Sequence, residues 1–242
     1  MDLLVVTRTL TLLVWLALAW ILLELVVFRR PSWSVGSRGA WGVIALRHCS
    51  YALSALVAET AWVLHRVAGD SAVYQTARLL YNPGYYMNAV VDALAPLLIA
   101  GVLLGPGRLR RACFGAVWIV AATAAVGSFS VQRWELLMSV TQALAFVTVA
   151  GYLVFWAILL LGRLSRADAY LLGIMAIATV FHLLLPIQAH FFREVGQVDA
   201  VRIWHLNQFL QLVMAATGLA IVLAFRNVLV HGRSPRPVHI RV

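Results

Sequence analysis

The feature that most constrains this chain is a series of seven apolar runs, each long enough to cross a lipid bilayer as a helix. One helical span needs about 20 mostly apolar residues. A β-barrel would instead show short segments of alternating polarity. We therefore predict an all-α integral membrane protein, a seven-transmembrane-helix bundle. The spans are expected at 3–28, 41–66, 84–105, 112–130, 135–161, 168–192 and 200–229.

Composition supports a lipid-embedded chain and excludes several classes of protein. Hydrophobic residues make up 63% of the 242 residues and charged residues only 12%, against about a quarter in soluble domains. A soluble domain of this length could not bury that much apolar surface. A cytosolic enzyme and a nucleic-acid-binding module are therefore excluded, and the lipid bilayer is the expected surrounding. We expect a single transmembrane domain over 1–230 and a basic cytoplasmic tail over 231–242.

The cations of the chain predict its orientation. All 19 are arginine, and the absence of lysine excludes Schiff-base chemistry, including covalent retinal. Apart from Arg47, which lies within the second span, twelve arginines are assigned to one side of the membrane and six, Arg8 among them, to the other. Since cytoplasmic segments are rich in Arg and Lys, we predict an outer N-terminus and a cytoplasmic C-terminus. The all-arginine set is typical of a GC-rich genome, so a multi-pass protein of a bacterial inner membrane is expected.

Two ionisable residues are predicted to pair in the cytoplasmic half of the bundle. Glu24 lies near the end of the first run, and Arg47 lies about two turns into the second. An ion pair between them would neutralise two charges that are costly in lipid. We interpret this predicted Glu24–Arg47 pair as structural.

A larger set of polar residues lies in the outer half, on the second, third, sixth and seventh runs. Asn88 and Asp92 are four residues apart, and His205 and Gln208 are three apart, so each pair shares a helix face. Because such residues are costly in lipid, they should point inward. We predict an outward-facing polar pocket whose ligand-binding residues are Glu59, Asn88, Asp92, His182, His190, His205 and Gln208.

The pattern leaves more than one function open. The first hypothesis is a non-enzymatic sensor or receptor-like module, or a membrane subunit of a larger complex. It would bind a small molecule with a cationic or hydroxylated group from the outer side and a protein partner at the cytoplasmic loops and tail. The alternative is a membrane-embedded metalloenzyme or haem-binding redox subunit that uses the same outer cluster. Metal and cofactor stay unassigned, since no HExxH motif is present. A purely structural hydrogen-bond network is a third interpretation.

The arginine distribution predicts the sidedness of the loops. A cysteine introduced at Ser37 or Ser165 should be labelled by an impermeant thiol reagent only from the cytoplasmic side, and one at Ser71 only from outside. Labelling of the Ser37 and Ser71 variants from the same side would contradict the second span.

Overall fold

The computed structural model describes residues 3–28, 35–68, 72–161, 168–190 and 200–231, and over these residues it is built from helices. A π-helical turn, Glu24–Phe28, follows the first helix, and a short 3₁₀ segment, Ser128–Gln132, follows the fourth. The seven α-helices of the described residues are α1 Leu3–Leu23, α2 Val35–Ala68, α3 Ala72–Leu103, α4 Arg108–Gly127, α5 Trp134–Leu161, α6 Asp168–His190 and α7 Ala200–His231.

The protein is a multi-pass helical membrane protein. Six of its described helices are long and apolar enough to cross a bilayer. The helix that falls short is α6, whose apolar stretch over the described residues, Tyr170–Leu184, has fewer than 18 residues. Large apolar side chains cover the outer surface of the bundle, as lipid contact requires. Among the most exposed are Trp20, Trp118, Ile119, Phe129, Phe146 and Leu160.

The helices pack so that the two ends of the bundle differ in character. α3 packs against α2, α4 and α5, while α1 packs against α2 and α7, and α6 lies against α5 and α7. The apolar core concentrates at the end where α1 finishes and α2 begins, which we call the core end. Trp41 stacks on Phe225 there with ring centroids 4.6 Å apart. Leu22 and Ile44 are fully buried beside them. Polar side chains collect in the opposite half, which we call the polar half.

Small residues allow two of the helix pairs to approach closely, as is common in membrane bundles. A Cβ added at Gly36 on α2 would lie 2.6 Å from the carbonyl oxygen of Val102 on α3. One added at Gly151 on α5 would lie 2.9 Å from Cγ of Pro96 on α3. Glycine at these positions therefore sets the distance of α3 from both neighbours.

Alanine at Gly36 should destabilise the protein, because its methyl group would meet a backbone oxygen that cannot move cheaply. Overpacking of this kind costs about 1–3 kcal/mol. The matched control is Gly42→Ala on the same helix, where an added Cβ meets nothing within 4 Å. That change should be neutral or stabilising by up to ~1 kcal/mol. Thermal unfolding in detergent measures both, and equal unfolding temperatures would contradict the close α2–α3 approach.

Candidate functional site

A cavity of about 250 Å³ lies in the polar half, between six of the seven described helices. Its walls mix hydroxyl, amide, charged and aromatic side chains. The polar and aromatic lining residues are Arg8, Thr11, Trp15, Tyr51, Ser54, Glu59, Tyr85, Asn88, Asp92, Thr141, Thr148, Phe181, His182, Asn207, Gln208 and Gln211.

Helical spacing brings these side chains to the cavity. Arg8, Thr11 and Trp15 follow one another at intervals of three and four residues, so they form one face of α1. Gln208 and Gln211 repeat that interval on α7. α1 and α7 therefore each turn one face toward the cavity and leave their apolar faces to lipid.

The floor of the cavity is a buried ionic cluster around Asp92, which we call the Asp92 cluster. Its members are Arg47, Tyr51, Asp92 and His182. Nε of Arg47 donates a hydrogen bond to Oδ1 of Asp92 over 2.6 Å. The Tyr51 hydroxyl donates to Oδ2 of the same carboxylate. These two bonds join α2 to α3, and His182 brings α6 to the same carboxylate.

His182 lies between the two charges of this cluster. Its Nε2 is 3.2 Å from Oδ2 of Asp92 and 3.4 Å from Nη2 of Arg47. Depending on its tautomer, the ring can donate to the carboxylate or accept from the guanidinium. The rings of Tyr152 and Phe181 lie 5.7 and 5.6 Å from the imidazole and hold it in place.

Two prolines release backbone carbonyls at this level. Pro96 and Pro186 each lack the N–H that would bond the carbonyl four residues earlier, and those carbonyls belong to Asp92 and His182. Breaks of this kind are tolerated in membrane helices where they lie inside the protein or line a cavity. Asp92 and His182, which meet between α3 and α6, thus each lie in a helical turn that lacks one backbone hydrogen bond.

A second ion pair lies farther from the core end, between α1 and α2. Nε of Arg8 lies 2.5 Å from Oε1 of Glu59, and its Nη2 donates to the carbonyl of Ala58 over 3.3 Å. The guanidinium also lies 4.8 Å above the ring of Trp62, a cation–π contact. Glu59 is therefore already neutralised by an arginine, as Asp92 is.

The remaining polar walls are uncharged. Ser50 donates to Oδ1 of Asn88 over 2.6 Å, and Ser54 donates to the carbonyl of Gly84 over 3.0 Å. Oδ1 of Asn207 is buried and has no hydrogen-bond donor among the described residues. A buried acceptor without a donor is costly, and Asn207 is one of the residues that line the cavity.

The structure brings together five of the seven residues predicted to bind a ligand. Four of the helices contribute them to one cavity, and they are Glu59, Asn88, Asp92, His182 and Gln208. His205 is not among the lining residues; it is exposed, one turn nearer the start of α7 than Gln208. The side chain of His190 lies outside the described residues. The position of each residue within its apolar run predicts a common level for the set, but it does not give the rotation of α7 against its neighbours.

The predicted Glu24–Arg47 ion pair is wrong. Arg47 pairs with Asp92, and Glu24 lies 3.5 Å from Nη2 of Arg226 on α7. Arg47 had been assigned to the inner half and Asp92 to the outer half, yet both reach the middle of the bundle. The long arginine side chain spans that difference in level, and the π-helical turn at Glu24 faces α7.

Two residues that contact the carboxylates of the cavity, Arg8 and Tyr51, were not predicted from the sequence as site residues. The arginine distribution assigns Arg8 to the outer side of the membrane, but it lies inside the first apolar run and is only 7% exposed. An arginine in an apolar run is itself a signal of interior placement. Tyr51 carried no such signal, since tyrosine is equally common at the ends of spans.

Among the described side chains, no three His, Cys, Asp or Glu groups lie close enough to share a metal ion.

Searches of protein-family models, curated proteins and solved structures find no significant match to this chain. The site is therefore interpreted from its own geometry.

Removing one partner of the Arg47–Asp92 pair should strand a buried charge, at a cost of about 3–5 kcal/mol. Arg47→Gln and Asp92→Asn should each lower the unfolding temperature strongly, and the double variant should lose less than the sum of the two. The control is the partly exposed pair Glu24–Arg226, where Glu24→Gln should cost less than ~1 kcal/mol. Additive effects of the two cluster substitutions on thermal unfolding would contradict a shared buried pair.

Proposed function

We propose that the protein is a non-enzymatic, receptor-like membrane module that binds a small molecule in this cavity from the outer side. Binding would be passed to a protein partner at the cytoplasmic loops and the basic tail, or would serve a larger complex in which the chain is a membrane subunit. We place it in a bacterial inner membrane, as the all-arginine composition indicates.

The proposal includes seven spans, with the N-terminus outside. α6 is the helix on which this count depends. Its 23 residues would extend about 34 Å at 1.5 Å per residue, and the hydrocarbon core is about 30 Å thick. His182 on this helix meets Asp92 within the bundle. A seventh span also puts the twelve-arginine side in the cytoplasm.

The observation that carries the proposal is a polar cavity confined to one half of a membrane bundle. Beyond the Asp92 cluster, toward the core end, the described residues pack as an apolar core that includes Leu18, Ile44 and Ile99. This arrangement favours a site open to one side over a path through the bundle. Under the proposed orientation, the cavity faces the outer side. A purely structural hydrogen-bond network would not require a cavity, nor an acceptor at Asn207 that has no donor among the described residues.

The metalloenzyme and haem alternatives are less well supported. Both acidic residues of the cavity are paired with arginines, which compete with a metal ion for the same oxygens. His182 and His205 do not face one cavity, so they are poorly placed to hold a haem between them. Stoichiometric zinc, or the Soret absorption of haem, in the purified protein would favour these alternatives over our proposal.

Cysteine accessibility tests whether the cavity opens to the outer side. In a background with Cys49 and Cys113 replaced by alanine, Ser54→Cys should react with an impermeant thiol reagent applied from outside. Ser54 lines the cavity, whereas its neighbour Leu53 is 53% exposed on the lipid-facing surface.

Leu53→Cys is the matched control, because it lies at the same depth without access to water and should stay unlabelled. Reaction of Ser54→Cys only from the cytoplasmic side would overturn the orientation. If neither cysteine reacts from either side, the cavity is closed, and the proposed function fails.

A further inference from the structure

We propose that the cavity recognises a small uncharged polyol, such as a monosaccharide or a cyclitol. This inference rests on the proposed function of the cavity as an outward-facing binding site. It adds the chemical class of the ligand, which follows from the pairing of the charges, the unused hydrogen-bonding capacity and the aromatic walls.

The charges of the cavity are already matched within the protein. Glu59 pairs with Arg8 over 2.5 Å, and Asp92 pairs with Arg47 over 2.6 Å. A cationic ligand would have to displace an arginine from a carboxylate, and an anionic ligand would have to displace a carboxylate from an arginine. Separating a partly or fully buried pair is costly. An uncharged ligand leaves both pairs intact.

Several walls of the cavity present hydrogen-bond acceptors. The hydroxyls of Thr11 and Thr148 donate to carbonyls of their own helices, those of Thr7 and Leu144, over 2.7 and 2.8 Å. A hydroxyl has one proton, so each of these two buried groups has only lone pairs left for a ligand. Oδ1 of Asn207 adds an acceptor with no donor among the described residues. The complementary ligand carries several donors.

Donors are supplied by the amides on α3 and α7. The carbonyl oxygen of Asn88 accepts from Ser50, which leaves its NH₂ group as the part that can donate to a ligand. Gln208 and Gln211 line the cavity with amides that both donate and accept. A hydroxyl group, which does the same, fits a wall of mixed donors and acceptors better than a group that can only donate.

The apolar walls and the volume narrow the class further. Trp15 stacks on Tyr51 with ring centroids 4.8 Å apart, and Phe181 lies in the wall formed by α6. Trp15 is 1% exposed and covered by Tyr51, so these rings supply apolar wall surface, against which the C–H groups of a sugar ring can pack. The volume of about 250 Å³ is slightly below the ~300–1,000 Å³ of pockets for drug-sized ligands. A single ring with hydroxyl groups matches this size.

Protection of Ser54→Cys from the thiol reagent tests the ligand class directly. The probes are glucose, glucosamine and gluconate, which are similar in size and are uncharged, cationic and anionic, respectively, with myo-inositol and glycerol as further uncharged probes. Glucose or myo-inositol should slow labelling at least fivefold at saturation, whereas glucosamine and gluconate should not.

Two variants connect protection to the unused acceptors. Thr148→Val keeps the shape of the side chain but removes a hydrogen-bond acceptor from the wall. The ligand concentration that gives half-maximal protection should rise about tenfold, the equivalent of ~1.4 kcal/mol. Thr217→Val is the matched control, since that threonine makes the same bond to its own helix but is exposed outside the cavity. Asn207→Leu should abolish protection while leaving the unfolding temperature unchanged or higher, because it removes a buried acceptor that has no donor among the described residues.

The outcomes separate this inference from the proposed function. If Ser54→Cys is labelled and none of the uncharged probes slows the labelling, the assignment of a polyol ligand is overturned. Protection by glucosamine or gluconate alone overturns it as well, but leaves the cavity as a binding site. An equal loss of protection in Thr148→Val and Thr217→Val would show that the effect does not arise in the cavity, and overturns the assignment. Absence of labelling at Ser54→Cys defeats the proposed function itself.

Discussion

The ion pair between Arg47 and Asp92 is the interaction on which the polar half of this bundle depends. Neither charge could lie at this depth alone, because an isolated ion in a low-dielectric interior is very costly. Their contact at 2.6 Å, with Tyr51 and His182 on the same carboxylate, joins α2, α3 and α6. These side chains form the floor of the cavity. A hydrophobic replacement of equal volume could be as stable, so stability alone does not account for these charges.

The interior of the bundle is stabilised by apolar packing in one half and by hydrogen bonds and ion pairs in the other. At the core end, apolar side chains such as Leu22 and Ile44 fill the interior, and the backbone is satisfied within each helix. In the polar half, each polar side chain needs a partner because lipid offers none. Thr11 and Thr148 find it in their own helices, and Arg8 finds it in Glu59. Four buried polar atoms of the described residues lack a hydrogen-bond partner, and Oδ1 of Asn207 is the only one of them that belongs to a residue lining the cavity.

Much of the fold and part of the site were predictable from residues alone. Long apolar runs predict helices in a membrane, and the intervals between Asn88 and Asp92 predict a shared face. The cost of burying Asp92 and His182 predicts that both point inward, and they meet at 3.2 Å. His205 was misplaced because its interval to Gln208 does not give the rotation of α7 against its neighbours. The spacing of residues also does not specify which acidic residue pairs with which arginine, so the predicted Glu24–Arg47 pair was wrong.

The sequence by itself determined that this chain forms helices in a bilayer and that a few costly polar residues must lie inside. Both follow from local properties, the length of each apolar run and the free energy of each side chain in lipid. The tertiary structure decided which charge neutralises which, because that depends on the rotation and contact of helices far apart in the chain. It also decided that Arg8 belongs to the cavity wall, and that both carboxylates of the cavity are already paired. An ion pair is a property of two positions in space, and the spacing of residues within each helix does not specify it.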